Sequence, residues 1–336
     1  MKVGAEIMKK QQIRRQLIQT VKEQQLFRAD EHVVVALSGG FDSLHLAQWL
    51  TEGHLPQALQ PVVSVVYINH QLRDDAAVEE AFVADWLQQH RTQFKQVAML
   101  KMDWPAQPEH GVEEQARQQR YVLLKQQALQ WGTSIIVTAH HQDDQAETIL
   151  FKLARGSQLQ QLGGMAARQV MPDFEIRRPF LTLKKTELPL LVDIPIENYI
   201  VDSTNQDTNY ARNLIRQTIM PAIGQLNQNF AENMVRSAQQ LTALEALAKP
   251  EILAAVLRIQ AGTYDFMQAD QTQTSLVLQA WLQQQGCYQV KHRQLTQIWQ
   301  LMRNQSINRG MVQLAKPWVV YRQDHKLILK QDSGKN

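Results

Sequence analysis

Short, wholly apolar runs alternate with amphipathic stretches over the first half of the chain. Residues 33–37 form a β-branched run that ends in Ser38-Gly39-Gly40, and Leu44, Leu46, Ala47 and Leu50 follow at helical spacing. Residues 62–68 predict a second strand, and Val78, Phe82, Trp86 and Leu87 then share one helix face. A weaker strand at 97–100 precedes a long amphipathic helix at 111–131, and residues 135–139 predict a fourth strand entering another helix near Asp143. Strands apolar on both faces, separated by helices, predict an α/β fold with a doubly wound, Rossmann-like parallel sheet.

The pattern changes after Gly164. Pro172, Pro179, Pro189 and Pro195 interrupt residues 165–208, which predict short strands, loops and one brief helix near 184–192. From Tyr210 the periodicity is helical, and 225–248 is long enough for a connecting helix. Residues 250–336 predict a smaller, mainly helical domain closed by a β-hairpin from 319–321 and 327–329. A length of 336 residues suits two domains. The expected division is a nucleotide-binding catalytic domain at 1–222 and a linker helix plus helical domain at 223–336.

Charge adds a second theme. Thirty-five Lys/Arg against 32 Asp/Glu leave a net +3, but the basic groups gather at the ends. Residues 291–335 hold nine Lys/Arg and only Asp324 and Asp332, and residues 1–30 hold seven basic groups against three acidic ones. Basic ends on an acidic body suit a polyanion, and they equally suit a solvated surface. If RNA is the partner, Lys291, Arg293, Arg303, Arg309, Lys316 and Arg322 are the candidate phosphate contacts. Cys287 is the single cysteine. It rules out a disulfide framework, a cysteine-based zinc site, an iron–sulfur cluster and a two-cysteine relay, and it fits a reducing cytoplasm. No apolar run approaches the ~20 residues of a membrane helix, and residues 1–15 lack the apolar core of a secretory signal.

Two clusters carry chemistry. Ser38-Gly39-Gly40-Phe41-Asp42-Ser43 lies between a strand and a helix. Paired glycines let backbone amides approach an anion, the helix N-terminus adds its dipole, and Ser38 and Ser43 add hydroxyls. Asp42 suits such a cradle where a cation intervenes, which implies Mg2+. The loop is neither a Walker A motif nor the three-glycine dinucleotide fingerprint. An ordinary Gly-Gly turn with a Ser/Asp helix cap would use the same residues. The second cluster runs from His140 to Thr148. His140, Asp144 and Glu147 fall at i, i+4 and i+7 of a helix, where two carboxylates can hold a cation or take a proton. Acidic residues in a first helical turn also simply complement the dipole. Adjacent His140 and His141 without cysteines do not make a zinc site. Trp104, Trp131, Trp281, Trp299 and Trp318 sit at helical spacing and read as core anchors.

The hexapeptide resembles the PP-loop of the ATP pyrophosphatases, and His140-x-x-Asp-Asp-Gln-x-Glu-Thr148 is similar to the signature of the tRNA(Ile)-lysidine synthetases within that superfamily. Further matches occur in order: Asn69-His70-Gln71-Leu72-Arg73, residues 116–121, Ala154-Arg155-Gly156-Ser157, Gly164-Met165, Arg178-Pro179, Asp202-Ser203-Thr204-Asn205 and residues 212–216. The resemblance implies ligation of L-lysine to the wobble cytidine of tRNA(Ile) with a CAU anticodon, driven by ATP and Mg2+. It assigns Ser38, Gly39, Gly40, Phe41, Asp42 and Ser43 to ATP, and Asp42 to the metal. Asp42, Asp144, Glu147 and Arg117 become the catalytic group, with Arg120, His140, Asp143, Arg212 and Arg216 on the substrates. Arg117 and Arg120 would otherwise be an ordinary solvated face, and Arg212 and Arg216 could instead pair with Asp202 or Asp207. A homodimer stays open as the assembly. The sequence departs from the family at Gln71, Gln158 and Gln161, where glycine is expected. Many relatives also continue into a further tRNA-contacting domain, so the chain is expected to be a short member or a truncated one.

Overall fold

The computed structural model describes residues 2–71, 76–103, 112–157, 162–192, 194–195, 199 and 211–331. The chain divides into two compact units, the first ending at Ala238 and the second running from Gln239.

The first unit is built on six strands: β1 His32–Leu37, β2 Val62–Asn69, β3 Val97–Lys101, β4 Ile135–Val137, β5 Arg168–Val170 and β6 Glu175–Arg177. Their spatial order is β3-β2-β1-β4-β6-β5, with only β5 antiparallel to its neighbour. The expected doubly wound parallel sheet is therefore present, extended by a short antiparallel edge. Strand alternation sorts β1 between two layers. Val33, Val35 and Leu37 enter a core with Leu44, Ala47 and Leu50 of α2 (Phe41–Thr51) and Val83 and Leu87 of α3 (Ala76–Gln89). Val34 faces the other side, with Val66, Ile136, and Leu124 and Ala128 of α4 (Val112–Gln130). Helix α5 (Gln142–Ala154) follows β4.

Three elements differ from the sequence reading. The basic N-terminus is a long helix, α1 (Lys2–Glu23), because Ile13, Leu17 and Val21 recur every four residues and bury against the first core. The connecting helix begins later and ends later than expected. Asn227 accepts the Phe230 amide at 3.0 Å, and α8 (Phe230–Ala261) runs through Pro250, an exposed position. A proline there removes one backbone bond without ending the helix. Before α8, α6 (Ala211–Leu214) and α7 (Met220–Leu226) are joined by a π-helical turn at Ile215–Ile219.

In the second unit, α9 (Gln271–Gln284) and α10 (His292–Arg303) precede three antiparallel strands, β7 Arg309–Gln313, β8 Trp318–Gln323 and β9 Lys326–Gln331. The expected hairpin is β8–β9, and β7 adds a strand that the polar Arg309-Gly310 start concealed. Val256, Leu278, Trp281, Ile298, Val320 and Leu327 share its core. Trp131, Trp299 and Trp318 also pack against apolar cores, while Trp104 lies outside the described residues.

Candidate active site

Strands β1 and β4 are neighbours, and the sheet order reverses between them. Segments leaving their C-terminal ends diverge and open a crevice, the usual ligand site of such sheets. Both sequence clusters lie on this edge.

The first wall is the turn after β1. Gly39 takes φ +75°, a left-handed angle that favours glycine, and Gly40 is the extended cap before α2. The turn braces itself. The buried Ser43 hydroxyl accepts from the Ser38 amide at 3.1 Å and donates to the Gly40 carbonyl at 3.0 Å. Ser38 Oγ stands 3.1 Å from Ser43 Oγ and accepts from the Gly40 amide at 3.4 Å. Ser43 thus spends its hydroxyl on the shape of the loop, and Ser38 remains at the exposed lip. The amides of the first turn of α2 have no acceptor within the helix, which suits an anion. Phe41 lies edge-on to Tyr199 at 5.1 Å between ring centroids.

The second wall is built on His141, a residue the sequence reading treated only as a poor zinc ligand. It is 3% exposed and sits among three carboxylates: Asp42 Oδ2 at 3.6 Å, Asp143 Oδ2 at 3.4 Å and Asp144 Oδ2 at 3.5 Å. Burial alone would discharge the ring, but Asp143, Asp42 and Asp144 push it up to about 10, so it is an imidazolium. The Asp144 carboxylate also caps α5 by accepting the His141 amide at 2.9 Å. Burial raises the Asp42 carboxyl, yet His141 and Lys185 outweigh it and hold the group below its ordinary range. Lys185 Nζ lies 3.2 Å from Asp42 Oδ2, and the Lys185 amide donates to Asp143 Oδ2 at 2.9 Å.

Deeper in, Glu147 and Arg216 form a bidentate pair with both contacts at 2.7 Å, and Arg216 reaches Asp144 Oδ1 at 3.2 Å. Burial pushes the Glu147 carboxyl up against the opposing pull of Arg216. The Glu147 and Asp144 carboxylates in turn raise the guanidinium further. Arg216 lies on the π-helical turn, whose extra residue re-aims side chains.

A cationic group completes the site. Arg117 and Arg120 of α4 each lie 5.6 Å from the Tyr121 ring centroid, and Arg212 stacks 5.4 Å from Phe151. Arg178, 1% exposed, donates to the Ala166 carbonyl at 2.8 Å and to Gln169 at 3.0 Å. His140 is held by Thr138 Oγ1 at 2.8 Å. Burial and the charges of Arg178, Arg120 and Arg117 keep it well below its usual value, hence neutral. Arg117, Arg120, His140 and Arg212 are therefore near one another, with Arg178 and Lys185 added to the expected set. Residues 72–73 and 202–205 of the quoted motifs, and Gln158 and Gln161, lie outside the described residues.

Asp42 is the residue that would hold a hard cation, since its buried Oδ1 has no hydrogen-bond partner among the described residues. No group of three or more His, Cys, Asp or Glu side chains that could hold a metal occurs among them. Magnesium does not need one, since it binds through one or two carboxylates together with substrate phosphates.

Cys287 is buried in the second core, where burial pushes its thiol up, so it is an inert apolar side chain. No described helix is long and apolar enough to cross a membrane.

Comparison with known proteins agrees with this geometry. Residues 9–223 match the PP-loop domain family. The tRNA(Ile)-lysidine synthase of Streptococcus thermophilus is 30% identical over 321 residues, covering 94% of this chain and 70% of the relative. That of Streptococcus pyogenes serotype M3 is 29% identical over 91% of this chain and 67% of the relative, so the chain spans about two thirds of such relatives. The corresponding Lactiplantibacillus plantarum protein is 33% identical over 77% of this chain and 58% of the relative. Among solved structures, the U34-tRNA thiolase NcsA from Methanococcus maripaludis with its [4Fe-4S] cluster matches with a TM-score of 0.55 at 14% identity, over 68% of this chain and 78% of that one, a likeness of fold. The glycine turn, the acidic start of α5 and the arginines facing them thus accompany a family-wide match, and the chain belongs to the PP-loop family and, within it, to the tRNA(Ile)-lysidine synthases.

Proposed function

We propose that this protein ligates L-lysine to ring carbon C2 of the wobble cytidine in tRNA(Ile) with a CAU anticodon, consuming ATP and releasing AMP and diphosphate. The observation that carries the reading is the meeting, at one sheet edge, of a phosphate-type turn, the carboxylates of half-buried Asp144 and buried Glu147, and an arginine group around a neutral histidine. Cytidine O2 bonds to the α-phosphorus, and the bond from that phosphorus to the bridging oxygen breaks, its electron pair leaving with diphosphate. Lysine Nε then bonds to C2, and the C2–O2 bond breaks as AMP departs with that oxygen. The turn holds the triphosphate through its amides, and Asp42 would hold Mg2+, which neutralises phosphate charge when bound. Arg117 faces the phosphate under attack, while Arg120, Arg212 and neutral His140 orient the extruded pyrimidine and its backbone.

Lysine arrives as an ammonium, with a pKa of about 10.4. It must lose a proton before attack, and Asp144 and Glu147 are the carboxylates that hold it and take that proton. Arg216 now bridges the same two groups, so substrate lysine competes with an internal cation for them. Asp143 supports this wall through Lys185 and His141. The catalytic work belongs to residues 1–222 and tRNA positioning to 223–336, both in the cytoplasm. A thiolase is disfavoured by the burial of Cys287.

The test is incubation with the CAU tRNA, ATP and labelled lysine. Label enters RNA with matching AMP formation, Asp42→Ala abolishes both, and Cys287→Ser changes neither. ATP binding without lysine-dependent AMP release would make the chain a nucleotide-binding module instead.

A further inference from the structure

We propose that Lys185 is a diphosphate-binding residue: its ammonium moves from Asp42 to the β- and γ-phosphates of ATP and stays with diphosphate as it leaves. This rests on the ATP-cleaving reading above and adds a residue to it. The turn after β1 has no cation of its own, because it lacks the Gly-Lys-Ser/Thr ending that supplies one in Walker loops. A side-chain cation for the leaving group, beside any metal held at Asp42, has to come from another element. Lys185 opens the short 3-10 helix Lys185–Leu190, beyond β6 in the chain, and reaches back to the turn. Its amide is pinned on Asp143 at 2.9 Å, and its Nζ lies 5.5 Å from the Phe41 ring centroid and 3.2 Å from Asp42 Oδ2.

The root of the side chain is thus fixed while its head, about half exposed, is reachable. An ion pair with so exposed an ammonium holds its partner weakly, so exchanging a carboxylate for a polyphosphate is favourable. When the bridging oxygen leaves the α-phosphorus, its electron pair adds negative charge to diphosphate. An ammonium beside it is worth more then than in bound ATP, which is the condition for accelerating the step. His141, the other cation on Asp42, is enclosed by carboxylates and 3% exposed, so it cannot follow the leaving group.

The experiment uses the full chain with Lys185→Gln, Lys185→Ala and Lys185→Arg. It reads equilibrium binding of labelled diphosphate without tRNA or lysine, inhibition of AMP formation by added diphosphate, and kcat. Loss of one charge-assisted contact predicts diphosphate binding about tenfold weaker in the Gln and Ala variants, and kcat at least about tenfold lower. tRNA affinity and the melting temperature stay at wild-type values, and the Arg variant recovers most of both losses. The Gln variant keeps the stem, so it reports even if the Ala variant folds poorly. Diphosphate binding within twofold of wild type in Lys185→Gln, or an Arg variant no better than Gln, overturns the proposal. A wild-type protein that forms no lysine-dependent AMP defeats the parent reading instead, and the diphosphate-binding comparison still judges Lys185 separately.

Discussion

Gly164 is fixed by a backbone angle and a neighbour at once. Its φ is +75°, and a Cβ there would lie 2.5 Å from Gln145 Oε1. Gln145 cannot swing away freely, because its amide group donates to the Met165 carbonyl at 2.8 Å and accepts from the Met165 amide at 2.5 Å. Gly164→Ala should therefore cost about 2 kcal/mol or more in urea denaturation. It should also lower activity, since the following residues Ala166 and Ala167 carry the backbone bonds that seat Arg178. Gln71 is the converse case, a side chain at φ +52° where the family resemblance leads one to expect glycine. Gln71→Gly should stabilise by roughly 0.5–1 kcal/mol, the strain relieved less the extra freedom of an unfolded glycine. No gain in denaturation midpoint would show that the angle carries no strain. Both positions were marked in the sequence by the family resemblance alone, and their left-handed angles appear only in the structure. The charge of His141 was not legible, because Asp143 and Asp144 are joined on the buried ring by Asp42, which arrives from the other wall.

The same division runs through the elements. Strands β1, β2 and β4 read directly because their apolar runs are mostly buried on both faces, β3 read weakly because it is only half-buried, and α5 read from its acidic start. Helix α1 was missed because three buried residues are diluted by a Gln- and Lys-rich face, and the π turn because register within a helix has no composition signature. A buried ion network also ties elements together across long stretches of sequence. Arg177 on β6 donates to Glu31 at 2.5 Å and to Glu175 at 2.6 Å, and it also bonds the Leu26 carbonyl just past α1. Arg168 on β5 closes the network on Glu175 at 2.6 Å. Burial would raise the Glu175 carboxyl, but Arg168 and Arg177 overcome it and hold it below the ordinary range. Its stabilisation is therefore complete above the unfolded value of about 4.3 and fades as pH falls through the lower folded value. Glu175→Gln should cost about 2–3 kcal/mol at pH 7, and the gap to wild type should narrow steadily below pH ~4. A gap independent of pH would mean that the arginines do not rely on the charge of Glu175.

At the scale of the molecule, the concentration of charge at the C-terminal end was plain in the sequence, but which basic residues face solvent was not. Arg322 is 4% exposed and donates to the Asp324, Leu301 and Asn304 carbonyls, so it braces α10 against the small sheet and is removed from the RNA candidates. Arg303 stacks on Trp299 at 4.7 Å. Lys291, Arg293, Arg309 and Lys316 remain exposed. Deleting residues 291–336 would not isolate their effect, because Leu295, Ile298, Val320 and Leu327 belong to the core of that unit. Replacing the four exposed residues with Gln removes charge without touching that core. If each contacts a phosphate, each releases a counterion, and the slope of log affinity for tRNA against log salt should shrink by about 0.7–0.9 per residue. The fourfold variant should then lose a slope of about 3 while retaining its melting temperature and its affinity for ATP. Weakening should be uniform across tRNA sequences, since phosphate contacts position an RNA without reading its bases. A slope unchanged in the folded variant would move the RNA footprint off this surface and onto the seven basic groups of residues 1–30 or the arginines of the crevice.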